Sequence, residues 1–304
     1  MILLWGIEDD GPLDVVREAL QRLGAPVFFL DQRRSADTTI EFCAGASVEG
    51  QIQLAGAVCD LAGITGVYIR SHESRSLLAN PDADSSGTRH AQNLDEAVSA
   101  FLDASPARIL NRLEAMASNN SKPYQLALIR AGGFAVPDTL VTTDPAAAKA
   151  FLAQHGEIIY KSVSGVRSIV SRLSAGHLER LEDITWCPTQ FQQFIPGRDH
   201  RVHVVGDAVF ACEILSDADD YRYAGRTGDP AQLKATQIPP ALARKCCALA
   251  AALGLPVAGI DLRLTRQGEW VCFEVNPSPA FTYYEAATGA PIADAIAALL
   301  AAEG

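Results

Sequence analysis

The stretch Phe273-Glu274-Val275-Asn276-Pro277-Ser278-Pro279 decides how this sequence of 304 residues is interpreted. It begins at the end of the apolar run Trp270 to Phe273, which predicts a β-strand. Glu274 and Asn276 are two residues apart, so both side chains lie on one face of that strand, while Val275 faces the other way. The stretch therefore predicts a carboxylate and an amide that point together out of a sheet.

A second apolar run, Val257 to Ile260, ends directly before Asp261. Two adjacent strands would deliver Asp261, Glu274 and Asn276 to one edge. All three carry oxygen ligands, and hard oxygen ligands without nitrogen or sulfur suit Mg²⁺, which completes its shell with water and substrate phosphates. The competing interpretation of the later segment is a solvated carboxylate followed by an Asn-Pro turn.

The composition indicates an ordinary globular protein and excludes several partner classes. Hydrophobic residues make up 48% and charged residues 20% of the chain. The net charge of -11 argues against a nucleic-acid partner held by a general basic surface. We find no signal peptide and no apolar segment long enough to span a bilayer. The seven scattered cysteines form no CxxC pair, which favours reduced thiols and predicts a cytoplasmic protein without a membrane partner.

The alternation of predicted strands and helices divides the chain into three units, residues 1–105, 106–188 and 189–304. In the first, an alternating α/β unit, the predicted elements are strands at 2–5, 26–30 and 66–70 and helices at 13–23 and 90–102. In the second they are a helix at 122–130 capped by Ser121, strands at 139–143 and 157–161, and a helix at 145–154. In the third they are strands at 189–195, 201–205 and 208–215, helices at 240–253 and 292–302, and the two strands described above.

Lys161 stands at the exit of an apolar strand, directly before the small polar segment 162–168. A lysine in this position can reach a phosphate while the N–H groups of the loop hold its oxygens. An ordinary lysine at a strand end is the alternative. The Walker A, GxGxxG, HExxH and GxSxG motifs are absent from the sequence, which disfavours P-loop, Rossmann-cofactor, zincin and serine-hydrolase chemistry.

The segment 190–206 contains an apolar strand, a Pro-Gly turn and the pair Asp199 and Arg201. The strand could offer backbone groups to the edge of a base. Asp199 could accept a hydrogen bond from a ribose hydroxyl, and Arg201 could face a phosphate or acyl phosphate. The alternative is a surface ion pair. His200 and His203 alternate with Arg201 and are expected to face away from it, in structural or surface positions.

Together these motifs resemble the ATP-grasp superfamily, in particular its RimK-like glutamate-ligase branch and the related graspetide (microviridin-type) peptide-cyclising ligases. The similarity covers residues 105–300, and the segments 66–70 and 110–112 also look like those that precede the grasp. The motifs, in order, are Lys122 before a helix, Lys161, Gln193-Phe194-Ile195, Asp199-x-Arg201, Asp220-Tyr221-Arg222, Gly259-Ile260-Asp261 and Glu274-x-Asn276-Pro277. The implied fold is an α/β ATP-grasp fold, α+β within the two grasp lobes, after an N-terminal α/β pre-ATP-grasp domain.

The resemblance also implies roles for individual residues. Metal ligands would be Asp261, Glu274 and Asn276, holding two Mg²⁺ ions, with Mn²⁺ as an alternative metal. Lys122 and Lys161 would bind the phosphates of ATP. Gln193, Phe194 and Ile195 would border the adenine, and Asp199 would contact the nucleoside. Arg201 and Arg222 would face phosphate or the acyl phosphate. Gln193 departs from the pattern, because these ligases often carry Glu at that position. An amide keeps hydrogen-bonding capacity but loses a charge near the nucleotide.

The implied activity is ATP-dependent ligation of a carboxylate to an amine or hydroxyl through an acyl phosphate. The substrates would be ATP, a carboxylate donor and an acceptor, on a peptide, a protein tail or an amino acid. Two alternatives stay open: a kinase that phosphorylates a hydroxyl, and a nucleotide-binding module without turnover. The sequence also leaves open a homo-oligomer.

Overall fold

The computed structural model describes residues 1–77, 86–163, 170–216 and 231–302. In the N-terminal part, a parallel sheet of order β2-β1-β6-β7 lies beside a three-stranded antiparallel sheet β3-β4-β5. The elements are β1 (Ile2–Gly6), α1 (Gly11–Arg22), β2 (Val27–Asp31), β3 (Thr38–Ala44), β4 (Val48–Leu54), β5 (Ala57–Asp60), β6 (Gly66–Ile69), α2 (Ser74–Leu77), α3 (Ser86–Ala104) and β7 (Arg108–Leu110), with a 3-10 helix at Gln32–Asp37.

The central part is built on a four-stranded sheet of order β10-β9-β11-β8. Its elements are α4 (Leu113–Met116), α5 (Lys122–Ala131), β8 (Thr139–Thr142), α6 (Pro145–His155), β9 (Ile158–Ser162), β10 (Ser171–Arg172), α7 (Ala175–Leu178) and β11 (Thr189–Gln193), with 3-10 helices at Ala117–Asn120 and Leu181–Trp186. The Asp144 carboxylate caps α6 by accepting from the backbone N–H of Ala146. The helix α5 begins at Lys122, where we predicted it, but Ser121 makes no side-chain cap hydrogen bond.

The C-terminal part is a five-stranded antiparallel sheet of order β14-β13-β12-β15-β16. Its elements are β12 (Gly197–Val205), β13 (Ala208–Leu215), β14 (Gln232–Thr236), α8 (Pro240–Ala252), β15 (Val257–Thr265), β16 (Trp270–Asn276), α9 (Thr282–Thr288) and α10 (Ile292–Ala301). Because β11 pairs with β8 and β9, the central sheet extends through Gln193. The unit boundaries after residues 105 and 188 remain predictions.

Two apolar cores determine how these parts pack. One combines α5 and α8 with the C-terminal sheet. The other joins β1 and α1 to α10, so an element from far along the chain completes the core of the N-terminal sheet. Among the described residues, no helix combines the length and the apolarity that crossing a membrane requires.

Candidate active site

A cleft separates the central four-stranded sheet from the C-terminal five-stranded sheet. It is lined by Ile159, Lys161, Val170, Gln192, Gln193, Phe194, Ile195, Asp199, His200, Ile214, Asp261, Leu262, Arg263, Phe273 and Glu274. Seven of the residues predicted from the sequence therefore border one cavity: Lys161, Gln193, Phe194, Ile195, Asp199, Asp261 and Glu274. Their individual roles remain predictions.

The connector after β11 forms one wall of the cleft, and its backbone is fixed by hydrogen bonds. The N–H of Gln193 donates to the carbonyl of Asp138 over 2.9 Å, and the N–H of Phe194 donates to the carbonyl of Glu157 over 3.0 Å. The ring of Phe194 lies 3.9 Å from the guanidinium carbon of Arg172. This contact gives the aromatic wall a cationic neighbour.

Arg263 was not predicted from the sequence, yet it organises the same wall. Its Nε and Nη2 donate to the two oxygens of Asp199 over 2.6 and 2.9 Å, and its Nη1 donates to the carbonyl of Ile195 over 2.8 Å. A bidentate guanidinium–carboxylate pair has a fixed geometry. Arg263 therefore holds Asp199 and the connector together, and Asp199 has a partner before any ribose is bound.

Asp261 and Glu274 occupy directly opposed positions on β15 and β16. Like charges opposite one another destabilise a sheet unless cations compensate them. Two cations do so here: Arg201 donates to Asp261 over 2.7 Å, and Lys122 donates to Glu274 over 2.9 Å. The two acidic and two basic side chains predicted to handle metal and phosphate are thus in direct contact.

The carboxylates lie on a sheet face and not at the edge that we predicted. The strand β15 does not end at Ile260; it continues through Thr265, with an irregularity in pairing between Asp261 and Leu262. Asp261 is therefore in the middle of a strand. Proximity to Glu274 comes from antiparallel pairing, which places opposed side chains on the same face.

Asn276 stands two residues beyond Glu274 on β16, opposite Gly259. Its Oδ1 accepts from the N–H of Ser278 over 2.9 Å, and an amide oxygen has a second lone pair for a further partner. In the part of the chain that the structure describes, no group of three or more His, Cys, Asp and Glu side chains could hold a metal. Two carboxylates and an amide oxygen nevertheless fit Mg²⁺, which takes few protein ligands and leaves positions for phosphate oxygens.

Gly259 provides the space in which Arg201 lies. A Cβ atom built at position 259 would be 2.6 Å from Arg201 Cζ, well inside contact distance. The backbone at this position needs no left-handed conformation, so the glycine is required by the close approach of the guanidinium.

His203 does not face away from Arg201, contrary to our prediction. It lies two residues further along β12, on the same face, and both residues approach the ring of Tyr284. Burial lowers the pKa of His203 well below its usual value, and the charge of Arg201 lowers it further. A neutral imidazole therefore lies beside the guanidinium. His200 faces the other side and contacts Trp270.

Gln192 is a second residue that the sequence did not single out. Thr139 Oγ1 lies 3.1 Å from the carbonyl of Pro137, to which it donates its only proton, so it must accept from Gln192 Nε2, 3.0 Å away. This fixes the amide and leaves Gln192 Oε1 buried without a donor among the described residues. A buried acceptor in the cleft favours a ligand with an N–H group.

Lys122 and Arg201 do not line the cleft themselves. They donate hydrogen bonds to Glu274 and Asp261, which do. Arg222 and its neighbours lie outside the described residues, as do residues 164–169 of the loop after Lys161.

A family profile for the RimK-like ATP-grasp domain matches residues 117–300. A relative from Histophilus somni, named probable alpha-L-glutamate ligase, is 31% identical over 198 residues. This match covers 60% of the present chain and 64% of the relative, so it spans less than two thirds of that protein.

Two solved structures extend the similarity to nearly the whole chain. The ATP-grasp ligase PsnB, in complex with a phosphomimetic variant of a minimal precursor, Mg and ADP, has a TM-score of 0.79 at 28% identity and covers 98% of this chain and 97% of its own. The macrocyclase MdnC of Microcystis aeruginosa, bound with the precursor peptide MdnA, has a TM-score of 0.84 at 22% identity, with 99% of each chain covered; this second likeness concerns the fold alone. The predicted ATP-grasp fold is confirmed, and the chain belongs to the RimK-like ATP-grasp domain family.

Proposed function

We propose that this protein is an ATP-dependent ligase that joins a carboxylate to an amine or hydroxyl. The observation that carries this proposal is a set of four charged side chains: Asp261 and Glu274 line the cleft opposite each other, and each is paired with a cation, Arg201 or Lys122. Oxygen anions suit a metal and these cations suit phosphate, so the same four groups could accommodate a magnesium nucleotide.

The reaction needs positioning and charge neutralisation more than a nucleophilic side chain. A donor carboxylate oxygen attacks the γ-phosphorus of ATP, the bond to the β,γ-bridging oxygen breaks, and ADP leaves. The acceptor nitrogen or oxygen then attacks the acyl carbon of the acyl phosphate, loses its proton, and inorganic phosphate departs. In this scheme Lys161 and Lys122 bind phosphate oxygens and Arg201 orients the transferring group. Mg²⁺, held by Asp261, Glu274 and Asn276, would supply further charge neutralisation.

The nucleotide base would occupy the wall formed by the connector. The buried acceptor Gln192 Oε1 fits an exocyclic amino group, as in adenine, better than a carbonyl oxygen. The residues Gln193, Phe194 and Ile195 would border the ring, while Asp199, held by Arg263, would bind the ribose. The proposal includes two Mg²⁺ ions at this site, with Mn²⁺ as an alternative metal.

Two substrate classes follow from the similar proteins. The structure of PsnB is a complex with a variant of a minimal precursor, whereas the Histophilus somni relative is named for glutamate. We propose a peptide or protein tail as one substrate, with glutamate addition and internal cross-linking as the two reactions to separate. A cytoplasmic location and a homo-oligomer stay predictions.

Hydroxylamine offers a test that does not require the natural acceptor. The protein is incubated with ATP, MgCl₂, hydroxylamine and either free glutamate or a peptide rich in Asp and Glu. A ligase gives ADP and a hydroxamate of the donor, because hydroxylamine traps the acyl phosphate. In a parallel incubation with a peptide that carries Ser and Thr hydroxyls, a stable phosphate ester without hydroxamate would identify a kinase. Nucleotide binding without ADP formation across the donor panel would favour a module without turnover.

Removal of the Glu274 carboxylate should abolish this activity with little effect on folding. The side chain is 24% exposed, so Glu274→Ala leaves no large cavity, but it removes a metal ligand and should reduce ADP formation by orders of magnitude, on the order of 1,000-fold. The control is Glu269→Ala, in the exposed turn of the same hairpin. Full activity of Glu274→Ala would refute the metal assignment.

Lys161→Ala should act on nucleotide binding. Lys161 is buried at the cleft, and loss of its charge should weaken ATP affinity measured by calorimetry, by about tenfold or more. Lys149 on α6 is exposed and serves as the control lysine. Unchanged ATP affinity in Lys161→Ala would contradict the phosphate role.

A further inference from the structure

The strand β16, which carries Glu274 and Asn276, is the outermost strand of its sheet. The backbone groups on the free side of such a strand need partners when they are buried. At Val275, between Glu274 and Asn276, both partners come from one side chain. Gln125 Nε2 donates to the carbonyl of Val275 over 2.7 Å, and the N–H of Val275 donates to Gln125 Oε1 over 3.0 Å.

This amide replaces a neighbouring strand at a single residue. Gln125 is 2% exposed, and its amide also has a longer contact of 3.5 Å with Asn119 Oδ1. A side-chain amide that donates and accepts at both backbone groups of one residue fixes the position of that residue along the strand. Because Val275 is flanked by two of the three candidate ligands, Gln125 fixes the segment from which both ligands project.

The same helix supplies the cation. Lys122 lies three residues before Gln125 on α5, on the same side of the helix, and donates to Glu274. The helix therefore contacts the backbone and one side chain of the ligand-bearing segment. Directly after the strand, Asn111 Nδ2 donates to the carbonyl of Pro277 over 2.6 Å and holds the residue that follows the ligand-bearing segment.

The alternative is that Gln125 has a purely structural role. A second pair in the molecule, Gln32 and His72, serves as the control for this alternative. Gln32 makes the same two-point contact with His72: its Nε2 donates to the carbonyl over 3.0 Å, and its Oε1 accepts from the N–H over 2.8 Å. Gln32 is also buried, at 5% exposure. It lies in the N-terminal part, at the start of the 3-10 helix Gln32–Asp37.

We propose that Gln125 is a positioning residue for the metal site, which acts by holding the backbone of Val275 so that Glu274 and Asn276 can bind one metal–nucleotide complex. This inference rests on the proposed function. According to this inference, Gln125 contributes measurably to the metal affinity although it does not contact the substrate. Partners that orient metal ligands change affinity by about 10- to 100-fold when they are removed.

The test compares Gln125→Met with Gln32→Met, since each removes a two-point amide contact at nearly constant side-chain length; Gln32→Met also removes a hydrogen bond of 3.1 Å to Asp95 Oδ1. The probe is MnCl₂ with ADP, and the bound Mn²⁺ is measured by electron paramagnetic resonance. Both variants should lose thermal stability without ligand. Only Gln125→Met should raise the Mn²⁺ dissociation constant, by about tenfold or more.

Equal Mn²⁺ affinity in the two variants would overturn the inference and leave Gln125 with a structural role. If Gln125→Met does not fold, Gln125→Asn, which keeps the amide but is too short to reach both groups of Val275, takes its place with Gln32→Asn as its pair. The proposed function fails separately: the unaltered protein would then bind neither Mn²⁺ nor ADP.

Discussion

Position 259 offers a direct way to displace one side chain of the candidate site without disturbing the fold. A methyl group on Gly259 would meet the end of a flexible side chain, Arg201, and not backbone. Gly259→Ala should therefore still fold, because the guanidinium can move, but it should lose the geometry of the partly buried Arg201–Asp261 pair and melt at a lower temperature. We expect ADP formation in the hydroxylamine assay to fall on the order of 100-fold.

The matched control is Gly45→Ala, where a Cβ would meet nothing within 4 Å. This variant should keep both stability and activity. If Gly259→Ala were as active as Gly45→Ala, the position of Arg201 would not matter for the reaction.

The buried imidazole of His203 should give the protein a stability that depends on pH. Its pKa is lowered by burial, and the folded protein therefore does not take up the proton that the unfolded chain binds below its ordinary pKa of 6.5. Stability from this group is complete above that value and is lost as pH falls below it, by at most about 1.4 kcal/mol per pH unit.

Urea unfolding at about pH 7.5 and about pH 5.5 measures this contribution. His203→Phe, which keeps a ring beside Tyr284, should show a smaller difference in unfolding free energy between the two conditions. An unchanged difference in His203→Phe would show that the imidazole does not contribute.

At the scale of elements, the connector between β11 and β12 depends on a strand that follows it by about 60 residues. Arg263 on β15 holds Asp199 and the carbonyl of Ile195 together. Arg263→Gln removes the bidentate pair, so the connector loses its support and ADP affinity should fall about tenfold. Asp199→Asn should have a similar effect.

Since both substitutions break one pair, the double variant should bind ADP about as weakly as either single variant. Calorimetric titration of the four proteins measures this coupling. Additive losses in affinity would mean that Asp199 and Arg263 act on the nucleotide independently.

The strands and helices that the sequence predicts are those with strong local patterns. The apolar run before Glu274 and the period of two predicted β16 and its ligand face, because side chains alternate along any strand. Pro at a helix start and an Asp cap predicted α6 in the same way. The sheet β3-β4-β5 was not predicted, although β4 alternates apolar and polar residues with the period of two that is typical of a half-exposed strand.

Contacts between distant residues could not be predicted from these patterns. Gln125 is one polar residue within a helix, and only the packing of α5 against β16 gives it a role. Arg263 follows Leu262 in an ordinary strand, and the antiparallel register with β12 places it opposite Asp199. The error over His203 came from counting alternation incorrectly, since residues 201 and 203 share a face.

At the scale of the whole molecule, α10 joins the C-terminal part to the N-terminal part, because it packs against α1 and the parallel sheet. Ile296, on this helix, is fully buried in the same core as Ile2 and Leu4 of β1. Ile296→Ala should destabilise the protein by about 2–5 kcal/mol, because a cavity remains where the side chain was. Denaturant unfolding measures the loss.

Hydrogen exchange measures which elements are destabilised by Ile296→Ala. If α10 and β1 form one cooperative unit, Ile296→Ala should accelerate exchange in both elements together. Ala298→Gly, on the same helix but outside the core set, should act mainly on α10 itself. Unchanged protection of β1 in Ile296→Ala would show that the two elements open independently.

The N-terminal sheet also touches the segment beyond the candidate ligands. Arg70, directly after β6, donates to Ser278 Oγ over 3.0 Å and to the carbonyl of Pro279. The parallel sheet is thus connected to the ligand-bearing part of the chain by a partly buried guanidinium as well as by the shared core.

The packing of α10 against β1 has a consequence for how the polypeptide is made. A ribosome releases residues 2–6 long before residues 292–301, and until the latter emerge, Ile2, Leu4 and Leu20 lack the apolar partners that cover them in the finished protein. During most of translation this surface must be shielded by chaperones or by transient collapse. Stalled nascent chains that stop before residue 292 should therefore be far more sensitive to protease than the released product.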